Sequence, residues 1–312
     1  MFVDPKEGEI LFKTYAQEWL RHRIIADSSS DTYASVLRTH IYPALGGKKL
    51  NTVRRQDIKN LVTAMRSDGI GASRVHTAHL VINAIFNEAV RDKKLAESPC
   101  SDIELPDVTT AKDFIAPTHA QLEALAAGLP GDWEATVWIM QGCGLRIGEV
   151  LALNIRCRVG EGQTLRITEQ VNPTAQLRPL KFRKAGEYRD IPLPRYVSDA
   201  IDKHLADHGT SRNGYLFRGR KKELVTRNTY REHFTAAVKH AGLPDGFVPH
   251  SLRHYYASLA LSRGIPITDV SRWLGHKSIE VTYRIYGHLV PGSWERAREV
   301  LDAAYRDGQT GR

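Results

Sequence analysis

A short run near the end of the chain, PHSLRHYYAS over residues 249–258, gathers imidazole, guanidinium and phenol side chains. His250 and Arg253 are three positions apart, so on a helix they share one face and can reach one anion together. A guanidinium can bind two phosphate oxygens at once, and an imidazole can gain or lose a proton near neutral pH. Such a run is also typical of an exposed helix, so other segments must decide whether it is catalytic.

A second segment, GCGLRIGEVLAL over residues 142–153, places Arg146 at the start of a predicted helix, directly after a glycine-rich turn. This position suits a guanidinium that binds a phosphate group. Glu149 follows three residues later on the same helical face and could orient that guanidinium. A single arginine beside glycines is more commonly an ordinary surface residue.

Further candidates lie in two segments that are rich in lysine, histidine and tyrosine. A lysine beside a turn can push an ammonium group into a nucleic-acid groove, and a tyrosine offers a hydroxyl nucleophile. These candidates are Lys184 beside a predicted turn, with Lys181 as an alternative; His276 at the end of a helix; and Tyr286, with Tyr283 as an alternative.

The elements that must position these residues fall into two regions. Residues 10–97 carry apolar residues at helical spacing in four segments, which predicts an N-terminal helical bundle. Residues 98–117 contain three prolines and no periodicity, which predicts an interdomain linker. Residues 118–305 are mixed, with helices around a short strand-rich middle. The fold class predicted is therefore mainly α, with a small antiparallel β-sheet in the second domain.

The strand-rich middle contains the segments TLRITEQV, PLKFRK and YRDIPLP. The last two flank Gly186, and their pattern predicts an antiparallel hairpin around that glycine. Lys184 would then lie at the hairpin tip.

Charge is distributed unevenly between the two regions. The chain of 312 residues has a net charge of +9, with 15 basic against 14 acidic residues in 1–107 and 29 against 21 in 108–312. The excess in the second region favours a polyanionic partner there, most simply nucleic acid. A merely basic surface would have the same composition.

Cysteine usage and hydropathy limit the class of protein. Cys100, Cys143 and Cys157 form no CxxC pair, which argues against a disulfide framework and a cysteine-based zinc site. The first ten residues have no signal-peptide pattern, and no apolar run is long enough to span a membrane. We therefore expect a cytoplasmic protein without a membrane partner.

Taken together and in order, the candidates resemble the tyrosine recombinases, the phage integrase family of site-specific DNA recombinases. The resemblance covers residues 118–290 in detail, and the helical bundle, including HIYPALGGKKL, looks like the core-binding, SAM-like domain of that family. It implies a mixed α+β catalytic domain. The matching positions are Arg146 in GLRIGE, Lys184 beside its turn, His250 and Arg253 in HSLRH, His276 in LGHKS and Tyr286 in YRIYGHL.

The resemblance implies a transesterification in which Tyr286 attacks a DNA phosphodiester and forms a 3′-phosphotyrosine bond. Arg146 and Arg253 would hold the non-bridging oxygens, and Lys184 would protonate the departing 5′-oxygen. By the same resemblance, His250 would be a general base or a hydrogen-bond partner near the tyrosine, and His276 would bind the phosphate.

The resemblance also implies that no cofactor, metal or ATP takes part, and the sequence has no GxxxxGK[ST] motif. His250, His254 and His276 could in principle bind zinc, but they lack thiolate or nearby carboxylate partners. Double-stranded DNA is the expected partner, bound by a homotetramer on paired sites, with accessory DNA-bending or directionality factors as further candidates.

Two other functions remain open at this point, namely a type IB topoisomerase and a catalytically silent DNA-binding relative. Many phage integrases also carry a small N-terminal domain that binds arm-type DNA sites. The helical bundle is reached by about residue 10, so we expect that domain to be absent or lost.

The segment after Tyr286 predicts an amphipathic helix. Its apolar stripe would either pack within the same molecule or dock onto a neighbouring protomer. The residues of the stripe are Trp294, Ala297, Val300, Leu301 and Tyr305.

Overall fold

The computed structural model divides into two compact units, residues 1–114 and 115–312. Each unit has its own buried apolar core. The fold is mainly helical with small antiparallel sheets in the second unit, which confirms the predicted class. The residues that the structure describes are 5–25, 27–107, 116–219, 223–289 and 293–310.

The first unit is helical, and all four predicted helical segments are confirmed. A π-helical turn over Leu37–Ile41 joins α2 to α3. The segment that ends at Gly46 is therefore one continuous helix. The apolar periodicity of the last segment predicts Leu80 on the buried face, but Leu80 is exposed, because it lies about 200° around the helix from the buried Ile82. The helices are α1 (Phe12–His22), α2 (Asp27–Val36), α3 (Tyr42–Leu45), α4 (Arg55–Ser67) and α5 (Ala72–Arg91).

Residues 98–107, expected to begin a linker, pack against the helical unit. Cys100 is buried in its core. Arg55 donates hydrogen bonds to the carbonyls of Ser101 and Asp102, at 3.0 and 2.5 Å. Nε2 of His76 lies 2.8 Å from the carbonyl oxygen of Pro106. The remainder of the expected linker includes residues 108–115, which lie outside the described residues.

The second unit has a larger apolar core, which is surrounded by helices. The spacing of Thr118 and Gln121 in the sequence predicts a capping box at the start of its first helix. The structure confirms it, since the Thr118 hydroxyl accepts from the amide of Gln121 and the Gln121 side chain accepts from the amide of Thr118. The helices are α6 (His119–Ala127), α7 (Ala135–Cys143), α8 (Ile147–Val150), α9 (Arg195–His208), α10 (Arg227–His240), α11 (Pro249–Ser262), α12 (Ile267–Leu274), α13 (Ile279–Tyr286) and α14 (Ser293–Thr310).

Two small sheets lie between α8 and α9. The order β1-β2-β5 forms one antiparallel sheet, and β3 pairs with β4 in the other. The strands are β1 (Arg158–Val159), β2 (Thr164–Ile167), β3 (Glu169–Val171), β4 (Leu177–Pro179) and β5 (Arg189–Pro192).

The predicted hairpin around Gly186 is wrong in its pairing. The strands on either side of residues 180–188 belong to different sheets, because β4 pairs with β3 and β5 pairs with β2. The turn itself is present, since the amide of Glu187 donates to the carbonyl of Lys184 at 3.2 Å and Gly186 has a φ of +86°. Alternation of side chains identifies the buried face of a strand but not the strand with which it pairs. Here β5 pairs with β2, which brings the buried Ile191 opposite the buried Leu165.

The terminal helix α14 extends along the predicted segment without burying it. All its described side chains, residues 297–306, are exposed, including Val300, Leu301 and Tyr305. Packing within the same molecule, one of the two predicted alternatives, is therefore not seen for these residues. The side chain of Trp294 lies outside the described residues. None of the helices in the described part of the chain has the length and apolar character that crossing a membrane requires.

Candidate active site

The first turns of α11 carry the residues of the run PHSLRHYYAS. Pro249 lies in the first turn, where its missing N–H is not needed by the helix. Arg253 points inward and is almost fully buried. His250 and His254 lie four positions apart, and their rings meet edge to face with 4.6 Å between centroids. One helix thus brings a guanidinium and two imidazoles together.

The C-terminal end of α12 binds three arginines that come from distant parts of the chain. The last carbonyls of a helix have no partner within the helix and carry its partial negative charge, so they suit cationic donors. We call residues 273–275 the α12 carbonyl end. Its three hydrogen bonds are Arg189 Nε to Trp273 O at 2.9 Å, Arg253 Nη2 to Leu274 O at 2.7 Å, and Arg146 Nη2 to Gly275 O at 3.1 Å.

Glu149 connects two of these arginines from the buried side. One carboxylate oxygen accepts from Arg146 Nη1 at 3.0 Å and the other from the Arg146 amide at 2.8 Å. Arg189 binds both oxygens, at 3.0 and 2.5 Å. Burial alone would raise the pKa of Glu149, but Arg189, followed by Arg146 and Arg253, lowers it to about 2. Glu149 is therefore a carboxylate at neutral pH and fixes the orientation of Arg146, as the sequence predicts.

Two glycines allow the arginines to reach backbone carbonyls. Gly144 ends α7 with a φ of +63°, and its carbonyl accepts from Arg253 Nη1 at 2.8 Å. Gly275 ends α12 with a φ of +64°, and its carbonyl binds Arg146. A side chain disfavours this left-handed backbone, and a Cβ on Gly144 would lie 2.3 Å from the ring of Tyr256. The glycines in GCGLR and LGHK are thus required by the geometry of the arginine contacts.

Tyr286 is buried at the end of α13 and faces this cluster. Its ring packs among apolar residues of α11 and α12, and its hydroxyl makes a short hydrogen bond with Nδ1 of His254. Burial raises the pKa of Tyr286 to about 12, although Arg253 acts in the opposite direction. Tyr283, the alternative nucleophile, is 68% exposed, whereas Tyr286 is only 4% exposed. Tyr286 is therefore the tyrosine that lies with the arginine and histidine side chains.

His276 directly follows the α12 carbonyl end. Its Nδ1 lies 2.7 Å from the hydroxyl oxygen of Thr282, a fully buried residue of α13. This contact holds the ring, so the other ring nitrogen is the one available to a ligand. Burial, followed by Arg253 and Arg146, lowers the pKa of His276 to about 3. The imidazole is neutral at pH 7 in the free protein.

The two other histidines are shifted in the same direction. Burial, followed by His254 and Arg253, lowers the pKa of His250 to about 4, although part of its side chain is open to solvent. Burial, followed by Arg253, also lowers the pKa of His254. Burial and Arg146 lower the pKa of Arg253 to about 9, which still leaves its guanidinium protonated at pH 7. The three arginines outnumber the single carboxylate of Glu149, so the cluster is cationic at pH 7.

The two candidate lysines lie on the surface of the second unit. Lys184 and Lys181 are both exposed in the loop between β4 and β5. Nζ of Lys181 lies 5.0 Å from the ring centroid of Phe182, which is a cation–π contact. Lys184 is beside the turn, as the sequence predicts, and its role stays a prediction.

The sequence reasoning missed three residues of the cluster. The sequence suggests only a possible zinc ligand at His254, yet this is the residue that contacts the Tyr286 hydroxyl. Arg189 was not singled out, although strict alternation with Ile191 would have placed it on the buried face of β5. Thr282 gave no signal, because a threonine inside a helix has no distinctive spacing. In the part of the chain that the structure describes, no group of three His, Cys, Asp or Glu side chains could hold a metal ion.

Comparison with known proteins gives two family matches. The sequence profile of the phage integrase family matches residues 118–292, and the profile of its N-terminal SAM-like domain matches residues 11–66. A putative prophage phiRv2 integrase of Mycobacterium tuberculosis is 28% identical over 297 residues, which cover 93% of this chain and 76% of the relative. An integrase of Mycobacterium phage D29 is 24% identical over 301 residues, 95% of this chain and 79% of the relative.

Solved structures of similar fold include two integrases bound to DNA. The Tn1549 transposon integrase in complex with transposon right-end DNA superimposes with a TM-score of 0.76 at 19% identity, covering 94% of this chain and 99% of that one. The lambda integrase tetramer bound to a Holliday junction gives a TM-score of 0.70 at 17% identity, covering 91% and 78%. These likenesses extend over both units of the chain.

Proposed function

The chain belongs to the phage integrase family, and we propose that it is a site-specific DNA recombinase that cleaves and rejoins DNA through a 3′-phosphotyrosine intermediate. The observation that carries this proposal is the buried Tyr286 hydroxyl, which contacts His254 and is close enough to the oriented Arg253 for that guanidinium to act on its pKa. A phenol can form a stable phosphoester, and fixed cations can bind the charge of a phosphoryl transition state. The catalytically silent alternative is disfavoured because the cluster is intact.

The two arginines of the cluster are held ready for a phosphate. Arg253 uses two of its donors on the carbonyls of Gly144 and Leu274, and a guanidinium has five N–H donors in all. Arg146 is held in the same way by Glu149 and Gly275. Their remaining donors would bind the non-bridging oxygens of the scissile phosphate. Because the backbone and Glu149 already fix both side chains, little reorganisation is needed when the phosphate arrives.

The nucleophile needs help to lose its proton. With a pKa of about 12, Tyr286 is ionised to only about one part in 10⁵ at pH 7. An arriving phosphate adds negative charge nearby and disfavours the phenolate further. The arginines therefore serve the transition state, and proton removal requires an acceptor in contact with the hydroxyl.

Two further side chains complete the proposed reaction. His276, held by Thr282, would donate a hydrogen bond to the phosphate. Lys184 would protonate the departing 5′-oxygen from its exposed loop, which would come to the DNA on binding. Arg146, Arg253 and Lys184 would supply the positive charge at the phosphate, and cleavage is therefore expected to need neither a metal ion nor ATP.

Double-stranded DNA is the proposed substrate, and the charge of +8 on residues 108–312 favours it. Exchange of strands requires two duplexes held together, so a homotetramer on paired sites is proposed, in keeping with the lambda integrase tetramer on a Holliday junction. The apolar side chains of α14 that are exposed in a single copy fit a contact between protomers. Accessory DNA-bending or directionality factors remain a further proposal.

The experiment that tests the function starts from a pool of nicked duplexes of randomised sequence. The nick lets a short fragment diffuse away after cleavage, so a covalent protein–DNA adduct accumulates and its duplex can be isolated. We call this the captured duplex. Wild-type protein is expected to form the adduct in EDTA and without ATP, with Tyr286 as the modified residue in mass spectrometry.

The controls separate the nucleophile from its surroundings. Tyr286→Phe removes one hydroxyl and should bind the captured duplex normally while forming no adduct. Tyr283→Phe, on the exposed face of the same helix, should form adduct at the wild-type rate. An adduct that persists in Tyr286→Phe, or a strict Mg²⁺ requirement for cleavage, would reject the proposal. Relaxation of supercoiled DNA without recombinant product would favour the topoisomerase alternative.

A further inference from the structure

The hydroxyl of Tyr286 is hydrogen-bonded to His254, which the sequence reasoning did not include among the catalytic residues. The contact joins the phenolic oxygen to Nδ1 of the imidazole. The two residues belong to different helices, α13 and α11. The ring of Tyr286 lies in the apolar cluster that includes Leu274, and its centroid is 5.6 Å from that of His254. This contact reaches the reacting atom itself.

His250, the residue expected to assist the tyrosine, is placed differently. Its ring packs edge-on against His254, on the side that is open to solvent. This position suits contact with DNA. His254 thus lies between His250 and the tyrosine and makes the direct contact with the hydroxyl.

We propose that His254 is the catalytic base, which takes the proton of Tyr286 during cleavage and returns it during resealing. This inference rests on the proposed function. It differs from the assignment implied by the family resemblance, because it moves the proton-accepting role from His250 to His254.

The step balances as a proton transfer coupled to a displacement at phosphorus. The Tyr286 oxygen forms a bond to phosphorus while its proton passes to Nδ1 of His254. The bond from phosphorus to the 5′-oxygen breaks, and its electron pair leaves with that oxygen, which takes a separate proton from Lys184. Resealing reverses each transfer, so the imidazolium of His254 returns its proton to the phenol oxygen.

The protonation state of His254 in the free protein agrees with this role. Its lowered pKa keeps the imidazole neutral at pH 7, so Nδ1 can accept the hydrogen bond of the phenol. The titratable or charged groups around it include His250 and Arg253 of its own helix, His276 after α12, and Tyr286 of α13. The phosphate brings negative charge to this group of cations, which stabilises the imidazolium as it forms.

The test measures single-turnover adduct formation on the captured duplex between pH 5.5 and 9.5. For wild type, the rate should rise about tenfold per pH unit below the pKa that His254 has in the DNA complex, where the phosphate stabilises the imidazolium, and should level off above that pKa. His254→Ala should be about 10²- to 10⁴-fold slower at pH 7, the usual loss on removing a general base. Its rate should keep rising with pH, and added imidazole should restore part of it.

A second variant separates proton transfer from simple positioning. An asparagine at position 254 can accept a hydrogen bond from the phenol but not its proton, so His254→Asn should stay as slow as His254→Ala. Equal affinity of both variants for the captured duplex would show that the fold is retained. His250→Ala should keep the wild-type shape of the pH profile even where its rate is lower.

Three results would overturn the inference. They are a His254→Ala rate within about threefold of wild type, recovery of the rate in His254→Asn, and loss of the pH-dependent limb in His250→Ala in place of His254→Ala. Failure of the proposed function would look different, because wild-type protein would then form no adduct at any pH.

Discussion

Replacing Arg189 by methionine should damage both the stability and the activity of the protein, although this residue does not belong to the expected catalytic set. The side chains of Arg189 and Glu149 are 3% and 0% exposed and form a two-point ion pair. Arg189 also holds the carbonyl of Trp273, one residue before Leu274 and two before Gly275. Methionine has similar length but can make none of these hydrogen bonds.

The expected magnitude follows from the burial of the pair. Removing one partner of a buried ion pair leaves an uncompensated charge, which costs about 3–5 kcal/mol. Glu149 keeps Arg146 as a partner, so Arg189→Met should lie near the lower end of this range. For a domain of this size, the midpoint of thermal unfolding should fall by roughly 6–12 °C. Because Glu149 also orients Arg146, adduct formation should slow by about 10²-fold, the usual effect of misplacing a catalytic group by about 1 Å.

A double-mutant cycle tests whether the pair is the cause. Urea unfolding is followed through the tryptophans for wild type, Arg189→Met, Glu149→Gln and the double variant. The double variant removes both charges of the pair, so its loss of stability should be smaller than the sum of the single losses by about 1–3 kcal/mol. Each curve is analysed for the second unit, because a chain with two units need not unfold in one step.

The matched control is an exposed ion pair that also includes a residue of β5. Arg166 and Asp190 face each other across β2 and β5 in a two-point ion pair, but their side chains are 37% and 39% exposed. Arg166→Met should leave the unfolding midpoint nearly unchanged, because exposed ion pairs contribute little. Additive losses in the cycle, or an equal loss in Arg166→Met, would refute the reasoning.

Three further predictions concern DNA. Lys184→Ala should slow adduct formation on a phosphodiester but not on a 5′-bridging phosphorothiolate, whose leaving group needs no proton. Lys181→Ala should slow the reaction of neither substrate. The opposite pattern would assign the general acid to Lys181. Replacing both Val300 and Leu301 by aspartate should leave binding to one duplex intact and remove the multi-protomer band in a gel shift; a band that remains would exclude α14 as the bridge. DNA binding should take up protons and tighten as pH falls from 8 to 6, because phosphate raises the pKa values of His276 and His250, which are about 3 and 4 in the free protein. Calorimetry in two buffers of different ionisation enthalpy measures this proton uptake. Binding without proton uptake would contradict the prediction.

Much of the local structure was determined by the sequence alone. Apolar periodicity located the helices of the first unit, and the Thr118–Gln121 capping box marked the start of α6. These features depend on residues within one or two turns of each other, so a linear pattern contains them. The ordered motifs around Arg146, Arg253 and Tyr286 identified the family for the same reason, since each motif is a short local signature.

The contacts that orient the site were decided only by the tertiary structure. The bond from Arg253 to the carbonyl of Gly144 spans 109 residues, and the bond from Arg146 to that of Gly275 spans 129. Backbone carbonyls have the same chemistry at every position, so no residue type reveals that the end of α12 binds arginines.

The partner of the nucleophile and the pairing of the strands were decided at the same level. The pattern HSLRHYY contains two histidines that could equally assist a tyrosine, and the packing of α13 against α11 brings His254 to Tyr286. Likewise, β5 is recognisable from its alternation, but its pairing with β2 follows from burying Ile191 against Leu165. Periodicity determines which face of an element is buried, whereas the choice of what lies against that face depends on the packing of the whole core.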